Sequence, residues 1–236
     1  MLCVNSYTIV TPYPKGYGFF MIKVNAYIDG FNLYHALKNL QNQKLKWLDL
    51  HKLLSSYLSE EEEIQDIYYF SAFAHHIDKA TVQRHQVYVD ALKTKGIHFI
   101  SGNFKNKVSG INKSIRQTYS IPASVKNCGH EEKESDVNLA LYILRDAIKH
   151  SCDKMFIVTN DTDIAPAIRM AKKENPVLTA FVLTPPSFSQ IHYALKNATG
   201  QPYTFSITRK KVEDSLFPDE IIKSNGKKIH KPFSWN

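Results

Sequence analysis

The sequence predicts an α/β fold: an open parallel sheet in the order 3-2-1-4-5, with helices on both faces. Three observations carry that expectation. Short apolar, β-branched or aromatic runs alternate with segments of helical period, as in successive βαβ units. The run DKMFIVTND at 153–161 is near-continuously apolar at its centre, the pattern of a strand covered on both faces. Two of the apolar runs end in acids just before a helix begins, and open parallel sheets place their ligands beyond the carboxyl ends of strands.

The elements follow in chain order. Residues 23–29 (KVNAYID) form strand one and residues 32–40 a helix. Apolar residues at 50, 53, 54, 57 and 58 give a second helical face within 48–58. Strand two covers 63–73, with Tyr68 and Tyr69 in the core. A helix at 78–94 ends at Gly96, and strand three covers 97–104. The stretch 105–130 has neither period nor acids and reads as a long basic loop inserted in the domain. A helix from Lys133 to His150 is expected to bury Val137, Ala140, Leu141, Leu144, Ala147 and Ile148. Strand four covers 153–161, and a helix at 163–174 stops at Asn175–Pro176. Strand five covers 177–185, and a short helix 187–196.

These elements define a domain at 22–198, preceded by an extension at 1–21 and followed by a basic tail at 199–236. The extension has no basic leading segment, is broken by Pro12 and Pro14, and makes a poor signal peptide. Because Met21 directly precedes strand one, residues 1–20 read as a loose extension or an artefact of start-site choice. The tail reads as a strand or hairpin with a flexible end. No apolar run reaches the roughly 18 residues that span a bilayer. Cys3, Cys128 and Cys152 are far apart and lack CxxC spacing, so neither a disulfide framework nor a zinc ribbon is indicated. A cytoplasmic location is the default expectation. The formal net charge of +8 and pI near 9.2 favour a polyanionic partner.

Chemistry concentrates in the acids at strand ends. Asp29 follows strand one; Asp161 and Asp163 follow strand four. In a 3-2-1-4-5 sheet those strands are neighbours, which brings bare carboxylates together unless a cation or raised pKa values relieve them. A hard divalent ion with oxygen ligands is the usual resolution. Asp161 has no plain structural use, but the other acids do. Asp29 could open a turn or cap a helix, Asp163 could cap the helix that carries Pro166 in its first turn, and Asp136 could simply favour a helix N-terminus. Glu131, Glu132 and Glu134 read as solvated first-turn charges. His75 and His76 read as exposed imidazoles at a turn, and Cys128 with His130 is too small a set for zinc.

Three motifs in order, YIDGFNLY, EEKESDVNLALYILRDA and FIVTNDTDIAPAI, resemble the NYN domain of the PIN-like nuclease superfamily, the LabA-like or DUF88 group. The resemblance covers roughly residues 22–186 and implies a PIN-like, Rossmann-like sheet. Matched motif by motif, it implies that Asp29, Asp136, Asp161 and Asp163 are catalytic and hold Mg²⁺ or Mn²⁺, and that the chain cuts RNA. Asn32, Thr159, Asn160 and Lys133 are the polar residues beside those acids, expected at the substrate. Two departures are visible. Thr159-Asn160 stands where Ser-Gly is frequent, with Asn160 tolerating a positive φ, and Glu134-Ser135 stands where Gly and Val are common. Lys105, Lys107, Lys113 and Arg116, with Phe104 and Tyr119 for stacking, are expected to bind a single strand. Dimerisation is expected of such folds, though no residue here shows it. Two rival readings stay open: a basic RNA- or protein-binding module without turnover, and a haloacid-dehalogenase-type phosphatase with Asp161 as nucleophile and Asp163 as acid.

Overall fold

A computed structural model describes residues 21–188, 190–200 and 203–236; the expectations for residues 1–20 lie outside them. Strand β1 (Ile22–Asp29) runs into helix α1 (Gly30–Asn39), followed by α2 (Leu50–Ser55), β2 (Glu62–Ser71), α3 (Lys79–Lys93) and β3 (His98–Ser101). Next come β4 (Asn103–Gly110), α4 (Lys113–Thr118), β5 (Lys126–Lys133) and α5 (Ser135–Ile148). The remainder is β6 (Lys154–Val158), α6 (Ala165–Glu174), β7 (Thr179–Thr184), α7 (Tyr193–Thr199), β8 (Thr204–Ser206), α8 (Arg209–Asp214), β9 (Glu220–Ile222) and β10 (Lys228–His230).

The central sheet is parallel throughout, in the order β3-β2-β1-β6-β7-β8. The α/β class is as expected, and the five foreseen strands hold their relative places. In detail the order differs, because β8 adds a sixth strand at the edge and β4 and β5 intervene in the chain. Side chains alternate across β1. Val24, Ala26 and Ile28 face a core shared with Leu33 and Leu37 of α1, Leu53 of α2 and Val89 of α3, whereas Tyr27 faces Leu139 and Ile143 of α5 and Ile168 of α6. Both faces of residues 26–28 and 155–158 are therefore dry, which is why these runs are apolar without alternation. Tyr68 and Tyr69 lie in the core as expected.

Three expectations need correction. Residues 105–130 are not a structureless loop. β4 and β5 pair antiparallel from Asn103↔Lys133 to Gly110↔Lys126, with α4 at the far end. The hairpin lies largely in solvent on both sides, so no apolar face imposes the two-residue period that would have revealed it.

The buried face of α5 is also not the apolar stripe. Ala147 is buried as expected, but Val137, Leu141 and Ile148 are exposed, and Ser135, Leu139, Ile143 and Asp146 are buried in their place. Asp146 can take the inner face because the side chains of Asn25 (3.1 Å) and Tyr27 (2.7 Å) donate to it, as does Arg145 Nε at 2.7 Å. A buried carboxylate so supplied with donors is tolerable, but counting apolar residues cannot anticipate it.

Finally, the tail beyond β8 does not end flexibly. Trp235 is buried against Trp47 and Tyr88, Phe217 N–H donates to Trp47 O at 3.0 Å, and Trp47 Nε1–H donates to Pro218 O at 2.8 Å. Val212, Phe217, Ile221 and Ile229 extend the same core.

Candidate active site at the carboxyl ends of the strands

Asp29 is the last residue of β1 and the N-cap of α1. Its Oδ1 accepts from Asn32 N–H at 2.9 Å, and its Oδ2 accepts from the Thr159 hydroxyl at 2.9 Å. Thr159 is fully buried just beyond β6, and its Oγ1 also accepts from Asp161 N–H at 3.0 Å. One hydroxyl thus links the two acids that β1 and β6 bring side by side. Asn160 N–H donates to Asn32 Oδ1 at 3.1 Å, and Asn160 Oδ1 accepts from His192 N–H at 3.2 Å. Asn32, Thr159 and Asn160 therefore tie the strand ends to each other. Asn160 keeps a negative φ, so the tolerance expected of it is not what the position uses.

Gly30 makes the approach possible. A Cβ there would stand 2.6 Å from Phe70 O and 2.7 Å from the Tyr69 ring, distances no side chain tolerates. The glycine lets the first turn of α1 press against the end of β2 and fixes where Asp29 points.

Asp161, not Asp163, is the cap of the next turn. Its Oδ1 accepts from Asp163 N–H at 2.9 Å, opening the short 3₁₀ turn Thr162–Ile164 that leads into α6. Asp163 sits in that turn, exposed. Asp136 occupies the first turn of α5. The start of that helix is held by Gly102, whose N–H donates to Ser71 O at 3.0 Å and where a Cβ would collide with the Ser135 hydroxyl.

The electrostatics show that these acids share one field. Burial pushes the Asp29 carboxyl up to about 6, and the charges of Asp136 and Asp161 push the same way against the two hydrogen bonds it accepts. Asp136 is raised by burial and then by Asp161 and Asp163.

A fifth acid belongs to the cluster. Glu132 lies on β5 rather than in a helical first turn, which corrects the reading of Glu131 and Glu132 as solvated helix charges. Strand alternation turns Glu132 inward, while Glu131 and Lys133 face the other side of the hairpin. Burial raises its carboxyl to about 7, with further pressure from Asp29 and Asp136, although the Ser135 hydroxyl donates to it. Its Oε2 is buried without a hydrogen-bond partner. Only the strand assignment could have singled it out within HEEKES. Glu134 takes a left-handed conformation (φ 78°), at a position where the resemblance expects glycine, and Asn103 Nδ2–H donates to its Oε2 at 2.7 Å.

The expected basic residues lie along the β4–β5 hairpin and on α4 at its end. Lys107 and Lys133 both pair with Glu131, at 3.1 and 2.9 Å. Arg116 donates to Ala123 O and Val125 O, both at 3.0 Å, and so stitches the end of the hairpin. Lys105 and Lys113 are exposed along it. Hard oxygen donors, the raised carboxyls of Asp29, Glu132 and Asp136 and one orphaned buried oxygen fit a hard divalent cation in their chemistry. Among the described residues, though, no three His, Cys, Asp or Glu side chains stand close enough to grip an ion as they are.

Comparison with known proteins decides the family. Residues 23–206 match the NYN domain. The chain belongs to the NYN domain family. NYN domains are part of the PIN-like superfamily and are generally nucleases. A curated relative, 6-hydroxy-3-succinoylpyridine 3-monooxygenase from Pseudomonas putida, is 31% identical over 191 residues, 69% of this chain. The match spans 59% of that relative's length. A solved structure of a protein of unknown function from Vibrio parahaemolyticus superposes on 86% of this NYN protein and on all of that chain. With a TM-score of 0.52 and 14% identity it shows the shared fold. Among the described residues no helix is long and apolar enough to cross a membrane.

Proposed function

We propose that this NYN protein is a metal-dependent ribonuclease that hydrolyses phosphodiester bonds in single-stranded or structured RNA. The observation that carries the reading is the convergence of Asp29, Asp136 and Asp161, which arrive from three separate segments at the carboxyl edge of the sheet, where the Asp29 and Asp136 carboxyls are raised by burial and by their acidic neighbours. Binding alone gains nothing from negative charges gathered where phosphates must come, whereas a cation site needs them.

In this reading Asp29, Asp136 and Asp161 hold Mg²⁺ or Mn²⁺, and Asp163 adds to the set directly or through a water. The ion supplies an activated water and offsets charge on the phosphoryl group. The chain's own residues do the rest. Asn32 and Thr159 hold Asp29 in one orientation through both oxygens. Glu132, poised near 7 with a free oxygen, takes the proton of the attacking water. Lys105 and Lys113 neutralise phosphates along the hairpin, making binding salt-dependent. Attack by water leaves a 5′-phosphate and a 3′-hydroxyl.

The test is cleavage of a labelled single-stranded RNA with Mn²⁺, Mg²⁺ or EDTA, comparing wild type with Asp161→Asn. Metal-dependent cutting that falls by about 10²–10³ in the variant, the usual loss when a group aimed at transition-state charge is removed, supports the reading. Tight, salt-sensitive binding without cutting by wild type would overturn it in favour of a binding module.

A further inference from the structure

Two histidines that the sequence leaves as an unremarkable turn and a stray imidazole meet in three dimensions. His76, in the turn between β2 and α3, stacks on His130 of β5 with ring centroids 3.9 Å apart and an interplanar angle of 9°. Phe104 of β4 closes on His76 at 4.7 Å. Together with Phe73, His75 and Asn106 they line an open cleft of about 390 Å³, within the range of small-ligand pockets. His76 and His130 are exposed and Phe104 is half-buried, so ring surface is available to a ligand. Asn106 makes no side-chain hydrogen bond among the described residues, leaving an amide to read a polar edge.

The cleft is not isolated from the acids. His130 and Glu132 lie on the same face of β5, two residues apart, which places them about 6.8 Å from each other along the strand. Phe104 is the cross-strand partner of Glu132. One side of the hairpin therefore runs from the carboxylate cluster straight into the aromatic cleft. The basic residues Lys105, Lys107 and Lys133 occupy the opposite side.

We propose that the cleft between His76, Phe104 and His130 binds a nucleobase of a single-stranded nucleic acid, one nucleotide removed from the phosphate that meets the carboxylates. Every base has a flat face that stacks on aromatic rings. The stacked imidazoles and the tilted phenyl offer such faces, and the Asn106 amide offers a hydrogen-bonding edge. The separation along β5 is the reach of one nucleotide. This inference rests on the ribonuclease reading for the neighbouring phosphate, but the cleft itself makes a claim about binding.

Affinity for a single-stranded RNA oligonucleotide in EDTA, where no cutting occurs, tests it. The same strand with abasic positions is measured in parallel on wild type, His76→Gln, His76→Tyr and Phe104→Ala. Removing a stacking ring is expected to weaken binding of the intact strand by roughly 5- to 150-fold, corresponding to about 1–3 kcal/mol per base. His76→Tyr keeps a ring and is expected to stay within a few-fold of wild type. On the abasic strand wild type is expected to be weakened already, and the variants no weaker still. Equal loss on intact and abasic strands, or no loss at all, would overturn the proposal and leave the cleft to a phosphate or another partner. Far-ultraviolet circular dichroism of each variant separates lost binding from lost folding. Because the assay is metal-free, failure of the ribonuclease reading would appear in the cleavage test with this pattern intact.

Discussion

At the scale of single residues, the site consists of carboxyls held in places that do not suit their charges. Asp29 is the clearest case: buried, hydrogen-bonded through both oxygens and raised to about 6. A carboxyl raised on folding contributes stability below its unfolded pKa and loses that contribution as pH rises through its folded value. For Asp29 the loss falls between about 4 and 6, from 3.8 to about 6. At about 1.36 kcal/mol per unit it amounts to at most about 3 kcal/mol. In metal-free buffer, the stability of Asp29→Asn relative to wild type is therefore expected to improve between pH 4 and pH 7, read by urea denaturation at each pH. A difference independent of pH would contradict the burial account. Glu132, raised to about 7, makes a separate kinetic prediction. Glu132→Gln is expected to lower the cleavage rate by about 10²–10⁴ and to remove the inflection near pH 7 from the rate profile. A variant with the wild-type profile would take Glu132 out of the proton path.

Elements place these residues. The short links from β1 into α1 and from β6 towards α6 put a capping aspartate at each strand end, so one side chain can begin a helix and face a ligand. Gly30 and Gly102 set how closely α1 and α5 approach the neighbouring strand ends. Gly30→Ala is expected to cost roughly 1–3 kcal/mol in stability through overpacking, and to reduce cleavage further by shifting Asp29. Chemical denaturation and single-turnover rates check the two effects separately. Helix α5 offers a contrast within one element. Leu139→Ala or Ile143→Ala is expected to cost about 2–5 kcal/mol, whereas Leu141→Lys on the exposed stripe stays within about 0.5 kcal/mol.

That contrast shows where the sequence was readable. Capping aspartates, continuous apolar strands and terminating Asn-Pro pairs are local signals, and they located the sheet and the strand-end acids. The inner face of α5 was hidden because Asp146 is stabilised by Asn25 and Tyr27, more than a hundred residues away. The β4–β5 hairpin was hidden because neither face packs on the core, and Glu132 and His130 went unrecognised with it. Asp161 takes the cap expected of Asp163 for a subtler reason. Both are good caps, and only the backbone path decides which oxygen meets which N–H.

At the scale of the whole molecule, a parallel sheet covered on both faces carries its acids at one edge and a basic hairpin beside them. The C-terminal segment is part of that body: Trp235 closes a cluster with Trp47 and Tyr88 on the face that also buries α1 and α3. Trp235→Ala is expected to destabilise the protein by about 3–5 kcal/mol, and truncation after residue 199 to prevent folding, both visible by circular dichroism. Charge is distributed unevenly over this body. The chain is net +8, yet its strand-end edge gathers Asp29, Glu132, Asp136, Asp161 and Asp163. Such a concentration against the overall sign makes sense if a cation completes it.

The most direct measurement is therefore calorimetric titration of Mn²⁺ into the wild-type protein and into Asp136→Asn, with the melting temperature of each followed at the same ion concentrations. The account predicts saturable uptake and a rising melting temperature in the wild type, since an ion that binds only the folded state stabilises it by mass action. It predicts that both are lost or strongly weakened in the variant. Equal uptake and equal stabilisation in the two proteins, or no uptake by either, would contradict the claim that these carboxylates form one cation site.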